Sequence, residues 1–397
     1  MKSIQEHNFS GEKALIRVDY NVPLDENFNV TDVTRIVRTK ETIGKILADG
    51  GSAILLSHLG RPKGEAKDEF SLRHIVKTVS EILGKEVVFG GDVLTAEAEA
   101  LCKNLKPGSI VLMENLRFHK EEEKGDVDFA KAIARLGDVY VNDAFGTAHR
   151  EHASTATVAR CFPGKAFAGF LLYNEVMNLE KTLNGQERPF TAIIGGSKVS
   201  TKINILKNLI PKVDNLVVGG GLSYTFLKAM GFTIGNSLYE PDMLPVAQEI
   251  LDQVKASGVN FVCRVDSVCA DKFSNDANVL VTEDNNIPDN WEALDIGPKS
   301  RVNIAKVIKE SKTILWNGPV GVFELEKFSE GTRAVALSVA ATTLAGAYSI
   351  VGGGDSIAAV NKYDLGNYIS YISTGGGAML EYLEGKELPG VKALNEN

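Results

Sequence analysis

The stretch YSIVGGGDSIAAV, residues 348–360, runs from apolar β-formers into three glycines, meets one acid and leaves as a helix-like segment. Read as strand, turn and helix, it is a unit that the rest of the chain repeats. Glycines let the main chain approach a ligand closely, and the free N–H groups at a helix start favour negative charge. A tight strand-to-helix turn with no ligand uses the same residue types. For one loop alone both readings stay open.

Working outward, short apolar runs alternate with helical patterns throughout. In the first half they are KALIRVDY, SAILLSHL, SIVLMENL and DVYVNDAF; in the second, FTAIIGG, NLVVGGG, VNFVCRVD and TILWNGP. Their near-continuous apolar character suits strands buried on both faces of a parallel sheet. Amphipathic stretches such as DFAKAIARLG and PVAQEILDQVKASG lie between them. The rhythm predicts an α/β protein with open parallel sheets flanked by helices. At 397 residues, two domains with separate cores are expected. The segment LLYNEVMNLEKTLNG puts Leu172, Val176, Leu179 and Leu183 on one helical face, with Asn184-Gly185 as its stop. A helix over 171–185 that joins two halves is the simplest interpretation. No period of 20–50 residues suggests a solenoid.

Hydrophobic residues make up 44% and charged residues 24%, ordinary values for a globular protein. No apolar run approaches the ~20 residues of a membrane span. The polar start MKSIQEHNFSGEK lacks the apolar core of a secretory signal, so the cytoplasm is expected. Cys102, Cys161, Cys263 and Cys269 form no C-x-x-C pair and read as buried thiols. A net charge of −8 argues against a nucleic-acid binder. The cations are unevenly spread, however. Nine of the thirteen arginines and all six histidines precede residue 161, as if to build a local site for a small anion.

The glycines recur in four runs: Gly195–Gly196, Gly219–Gly221, Gly352–Gly354 and Gly375–Gly377. Each follows strand-like residues, so their loops would gather at the carboxyl edge of a parallel sheet. That favours a polyphosphate ligand, with Gly196 and Gly220 among its contacts. Neither G-x-x-x-x-G-K-[ST] nor G-x-G-x-x-G occurs, which excludes a Walker-type loop and weakens an NAD-dependent dehydrogenase. In GGSKVSTK, Lys198 and Lys202 sit four apart and are expected to share one helix face beside the glycines. WNGPVGVFE ends in Glu324 and reads either as part of a nucleoside pocket, with Glu324 bonding ribose hydroxyls, or as an ordinary loop. In the first half, RVDYNVP puts Asp19 and Asn21 on one side of a strand end. SHLGRP supplies His58, Leu59, Gly60 and Arg61 after another strand, and later strand ends supply Arg117 and Arg150. Guanidinium forks recognise carboxylate and phosphate oxygens, so a small phosphorylated acid is a natural ligand, although an arginine at a strand end more often serves as a salt-bridge partner.

RVDYNVP, SHLGRP, LRFHKEEE, DVYVNDAFGTAHR, GGSKVSTK, WNGPVGVFE, GGGDS and STGGGA resemble, in order, the conserved blocks of the phosphoglycerate kinases, from about residue 4 to about 390. The resemblance implies two similar-sized α/β domains facing each other across a cleft. Residues 1–170 would bind 3-phosphoglycerate or 1,3-bisphosphoglycerate, and 379–397 would return onto that domain. Residues 171–185 would be the hinge, and 186–378 would bind magnesium-ADP or ATP. Carried over by position, the acid's ligands are Asp19, Asn21, Arg35, His58, Arg61, Arg117 and Arg150, with Leu59 and Gly60 in the same loop. The nucleotide side takes Lys198, Lys202, Asn317, Glu324, Gly353, Gly354, Asp355 and Ser356, with Asp355 at the magnesium.

The resemblance further implies that Arg35 and Lys198 bracket the transferring phosphoryl group, helped by N–H groups near Gly353 and Gly376. It suggests a monomer. Four positions depart from the family pattern: Tyr20, Glu151, Ala293 and Ser356. Glu151 is placed to soften the field of Arg150, and Ala293 puts the adenine pocket in question. A catalytically silent nucleotide-binding regulator is the remaining rival. It would be free to lose Lys198, Asp355 or the arginines, all of which are present.

Overall fold

The computed structural model describes residues 1–184 and 187–396. The chain forms two compact units, Met1–Val176 with Glu387–Asn397, and Met177–Lys386.

The first unit is built on six strands: β1 (Lys13–Val18), β2 (Ser52–Leu56), β3 (Val87–Gly91), β4 (Ile110–Met113), β5 (Val139–Asp143) and β6 (Ala166–Ala168). They lie in the order β3-β4-β2-β1-β5-β6, and every pairing is parallel. Ile16, Leu55, Leu112 and Val141 are wholly buried in its core. Helices cover the sheet, which is why the central strands read as unbroken apolar runs rather than alternating ones.

Among the described residues the second unit has nine strands. β7 (Phe190–Ile194), β8 (Asn215–Val218), β9 (Asn260–Val262), β13 (Thr313–Asn317), β14 (Tyr348–Gly352) and β15 (Tyr371–Ser373) make a parallel sheet in the order β15-β14-β13-β7-β8-β9. Its core holds Ile193, Val217, Ile314, Trp316 and Val351. β10 (Ser267–Ala270), β11 (Val279–Val281) and β12 (Glu292–Ile296) form a small antiparallel sheet. That sheet is an addition to the two expected parallel sheets. Its strands are three to five residues long and separated by polar turns, so they leave no apolar run to find. VNFVCRVD likewise yields a strand only as far as Val262.

The helix Phe170–Asn184 buries Leu172, Val176, Leu179 and Leu183, as the periodicity predicted. Its expected stop at Gly185 lies outside the described residues. The helix is divided between the units after Val176, and the first unit takes the chain back only from Glu387. Residues 379–386, expected to return, stay with the second unit. There the helix Gly377–Leu383 is tied to the helix Ile203–Leu209 by Asn208 Nδ2, which donates to the Leu383 carbonyl at 2.7 Å. The returning helix is Pro389–Asn395, with Ala393 and Leu394 buried.

The thiols also differ from expectation. Cys102 and Cys269 are buried, whereas Cys161 and Cys263 are half-buried.

Candidate active site

The candidate side chains fall into two groups, one in each unit. In the first, parallel pairing brings the carboxyl ends of β1, β2, β4 and β5 to one edge of the sheet. Asp19 and Asn21 lie just beyond β1. A turn in which the Asn21 N–H donates to Asp19 Oδ1 at 3.3 Å places them, rather than strand alternation. Asp19 Oδ2 pairs with Arg35 Nη1 at 2.7 Å. Asn21 Oδ1 accepts from the Gly60 N–H at 2.9 Å, and the Gly60 carbonyl accepts from Arg117 Nη1 at 2.9 Å. One loop, SHLGRP, is therefore gripped from β1 and from β4. Leu59 is buried, and its carbonyl accepts from Asn115 Nδ2 at 2.7 Å. Arg61 and Arg150 are exposed, and Arg150 Nε donates to His149 Nε2 at 3.2 Å.

His58 is buried against Arg17, whose Nη2 lies 3.2 Å from its Nδ1. A guanidinium only donates, so Nδ1 accepts and Nε2 carries the proton. Burial, and then the charges of Arg17, Arg117 and Arg35, hold the imidazole well below its ordinary pKa, so it is neutral. Arg17 is the residue that sequence reasoning missed here. Its Nε donates to Ser154 Oγ at 2.8 Å, and Glu122 Oε1 accepts from that hydroxyl at 2.5 Å. The available signal was an arginine inside an otherwise apolar strand, LIRV. Glu151 pairs with Arg160 at 2.6 Å, so its carboxylate has a partner other than Arg150. Tyr20, one of the departures from the family pattern, is buried with its hydroxyl on Thr39.

In the second unit a cavity of about 410 Å³ opens between the glycine loops and the small sheet. Gly196, Gly220 and Gly221 line one side; Tyr224, Leu238, Phe273, Ala293 and Leu294 supply the wall; Glu324 and Asp355 bring acids. Ala293, despite its departure from the family pattern, is part of that wall. The tight-turn reading of the glycines is met directly. Gly220 has φ +68, and a Cβ on it would lie 2.6 Å from the Gly196 carbonyl oxygen, so the loops need bare backbone to approach each other. Gly353, φ +93, caps the helix Gly354–Lys362, whose first turn carries Asp355.

Lys198 and Lys202 do not share a helix face. Residues 197–202 are irregular, and the helix begins at Ile203. Glu240 holds that loop by accepting from the Ser200 N–H at 3.0 Å and from its hydroxyl. Lys202 turns inward and donates to Asn317 Oδ1, while Asn317 Nδ2 donates to the Gly352 carbonyl at 2.9 Å. Burial lowers the pKa of Lys202, and the charge of Asp355 opposes that. Lys198 is exposed, and its charge acts on Glu240 instead. Ser356 keeps the expected hydroxyl, which accepts from the Gly318 N–H at 2.6 Å. Gly376 caps the short helix Gly377–Leu383 and is not among the residues lining the cavity.

Among the described residues no three His, Cys, Asp or Glu side chains gather as a metal cage. A carboxylate at a cavity edge suits Mg²⁺, which takes one or two carboxylates and fills its shell with phosphate oxygens and water. Asp355 fits that role.

The family model described as Phosphoglycerate kinase matches residues 4–386. The phosphoglycerate kinase of Porphyromonas gingivalis is 50% identical over 417 residues, covering 99% of both chains. That of Chlorobium phaeobacteroides is 48% identical over 395 residues, covering 100% of this chain and 99% of the other. Among solved structures, phosphoglycerate kinase from Coxiella burnetii superposes with a TM-score of 0.93 at 44% identity, covering 99% of this chain and 98% of that one. The Pyrococcus horikoshii enzyme gives 0.82 at 29% identity, with 100% and 98% covered.

Proposed function

The chain belongs to the phosphoglycerate kinase family, and on that premise we propose how its residues divide the work. The reaction is reversible transfer of a phosphoryl group between 1,3-bisphosphoglycerate and ADP, giving 3-phosphoglycerate and ATP. The bond from phosphorus to the acyl oxygen breaks as a bond to a β-phosphate oxygen of ADP forms, and the carboxylate leaves. No protein nucleophile is required. Catalysis is positioning together with stabilisation of spread negative charge.

The observation that carries the assignment is the glycine-walled cavity bearing Glu324 and Asp355, with the Lys202–Asn317 pair beside it. In our reading ADP lies there, its ribose on Glu324. Mg²⁺ on Asp355 would neutralise phosphate charge. Asp19, Asn21, His58, Arg61, Arg117 and Arg150 bind the acid. Arg35 and Lys198 bracket the transferring group, with N–H groups near Gly353 and Gly376. Arg35 now rests on Asp19, and Lys198 lies in the field of Glu240. Both would exchange these carboxylates for substrate oxygens. The chain acts as a cytoplasmic monomer without nucleic-acid or membrane partners.

The test is ATP formation from 1,3-bisphosphoglycerate, ADP and Mg²⁺. Arg35→Ala and Lys198→Ala should each lower turnover by ~10²–10³, the usual cost of losing a donor to transition-state charge. Near-normal turnover in either would remove that residue from the bracket. The substrates bind to different units and must meet, so we keep residues 171–185 as the hinge. Small-angle scattering should report compaction only with both substrates bound; an unchanged profile counts against the hinge.

A further inference from the structure

We infer that Arg264 is a positioning residue of the nucleotide pocket, holding Tyr224 and the Gly220 peptide where they line the cavity. The inference rests on the reading of that cavity as the ADP site. Arg264 follows β9 and is 1% exposed, yet it forms no ion pair among the described residues. A buried unpaired charge is costly, so neutral dipoles must compensate it. They are the Tyr224 hydroxyl at 3.0 Å, the Asp295 carbonyl at 3.3 Å, the Gly220 carbonyl at 3.3 Å and Ser267 Oγ at 3.5 Å. The guanidinium carbon also lies 4.4 Å from the Tyr224 ring centroid.

Two of these partners line the cavity, and a third lining residue is reached at one remove, because the Tyr224 hydroxyl donates to the Ala293 carbonyl. One cation thus ties together the loop after β8, the helix Leu222–Ala229 and β12. Among the described residues its Nε has no hydrogen-bond partner, so the bonds found come from the Nη side. Stability gives little reason for such a charge, since apolar replacements of buried ionic groups are often neutral or stabilising. Its contacts point instead to the shape of the nucleotide wall. The Gly220 carbonyl and the Gly221 N–H belong to one peptide, so fixing the first also aims the second.

The experiment is steady-state kinetics and calorimetric ADP binding on the full chain. Arg264→Met should raise both KM and Kd for ADP about tenfold, the scale of a lost charged hydrogen bond. The KM for 1,3-bisphosphoglycerate, kcat and the thermal midpoint should stay near wild type. Tyr224→Phe should shift the same nucleotide constants, and the double variant should be no worse than Arg264→Met, because neighbours in one network do not add. An unchanged ADP Kd, or a joint rise in both KM values, overturns the inference. If Arg264→Met does not fold, Tyr224→Phe is judged by the same outcomes. Leu294→Trp, which fills the cavity, separates the two levels. If it binds ADP as wild type does, the cavity assignment itself fails. If it loses ADP while Arg264→Met does not, only the role of Arg264 fails.

Discussion

Arg17, His58 and His152 show how the carboxyl edge of the first sheet handles charge at the scale of single residues. Burial, and then Arg117 and Arg17, push His152 down to about 3, and His58 is lowered for similar reasons. Both histidines take up a proton more readily in the unfolded chain. Their stabilising effect is therefore full above about pH 6.5 and is withdrawn as pH falls. His152→Asn should flatten the loss of urea stability between about pH 6.5 and 5. An unchanged slope would mean that other groups carry the acid sensitivity. Most of this edge was legible as residue types after strands. What was not legible is which cations face a ligand and which are buried supports, since Arg17 and Arg61 look alike until packing separates them.

At the scale of elements, Asp143 couples the end of β5 to the start of the helix Phe170–Asn184. Its Oδ1 accepts from the Leu171 N–H at 2.9 Å and the Leu172 N–H at 3.4 Å. Those bonds favour the carboxylate, but burial outweighs them and pushes the pKa up to about 7. A raised folded pKa favours folding fully below the unfolded value near 4, and the gain is lost as pH rises through 7. Asp143→Asn keeps an acceptor for the helix and should remove that decline between about pH 4 and 7. Asp143→Ala loses the cap and should cost about 1–2 kcal/mol in denaturant titrations at low pH. Equal behaviour of the two variants would sink the capping role. Element reading failed where spacing alone was used. Lys198 and Lys202 have helical spacing, but Ser, Val and Thr are weak helix formers, and Glu240 holds Ser200 in a loop.

At the scale of the whole molecule, the chain's last segment completes the first unit. Val391, Ala393 and Leu394 are buried there, and the Gly390 N–H donates to the Ala148 carbonyl at 2.8 Å. Ala148 lies in the loop that carries Arg150. Truncation after Lys386 should cost about 3–5 kcal/mol, from side chains worth ~1.5–3 kcal/mol each when buried. It should also weaken binding of the acid while leaving ADP affinity unchanged. Equal loss at both sites would mean that the segment supports more than its own unit.

Strand-by-strand apolar runs and the chain length were enough to state the α/β class and two units, while the glycine clusters and the arginine-rich first half were enough to name candidate anion sites. Those features are local, because hydrophobic period and backbone permissiveness are written residue by residue. The antiparallel β10–β12 sheet, the return of the chain at Glu387, the inward turn of Lys202 and the burial of Arg17 and Arg264 were decided by tertiary structure. Each depends on a partner distant in the chain, and only packing determines which polar group finds which partner.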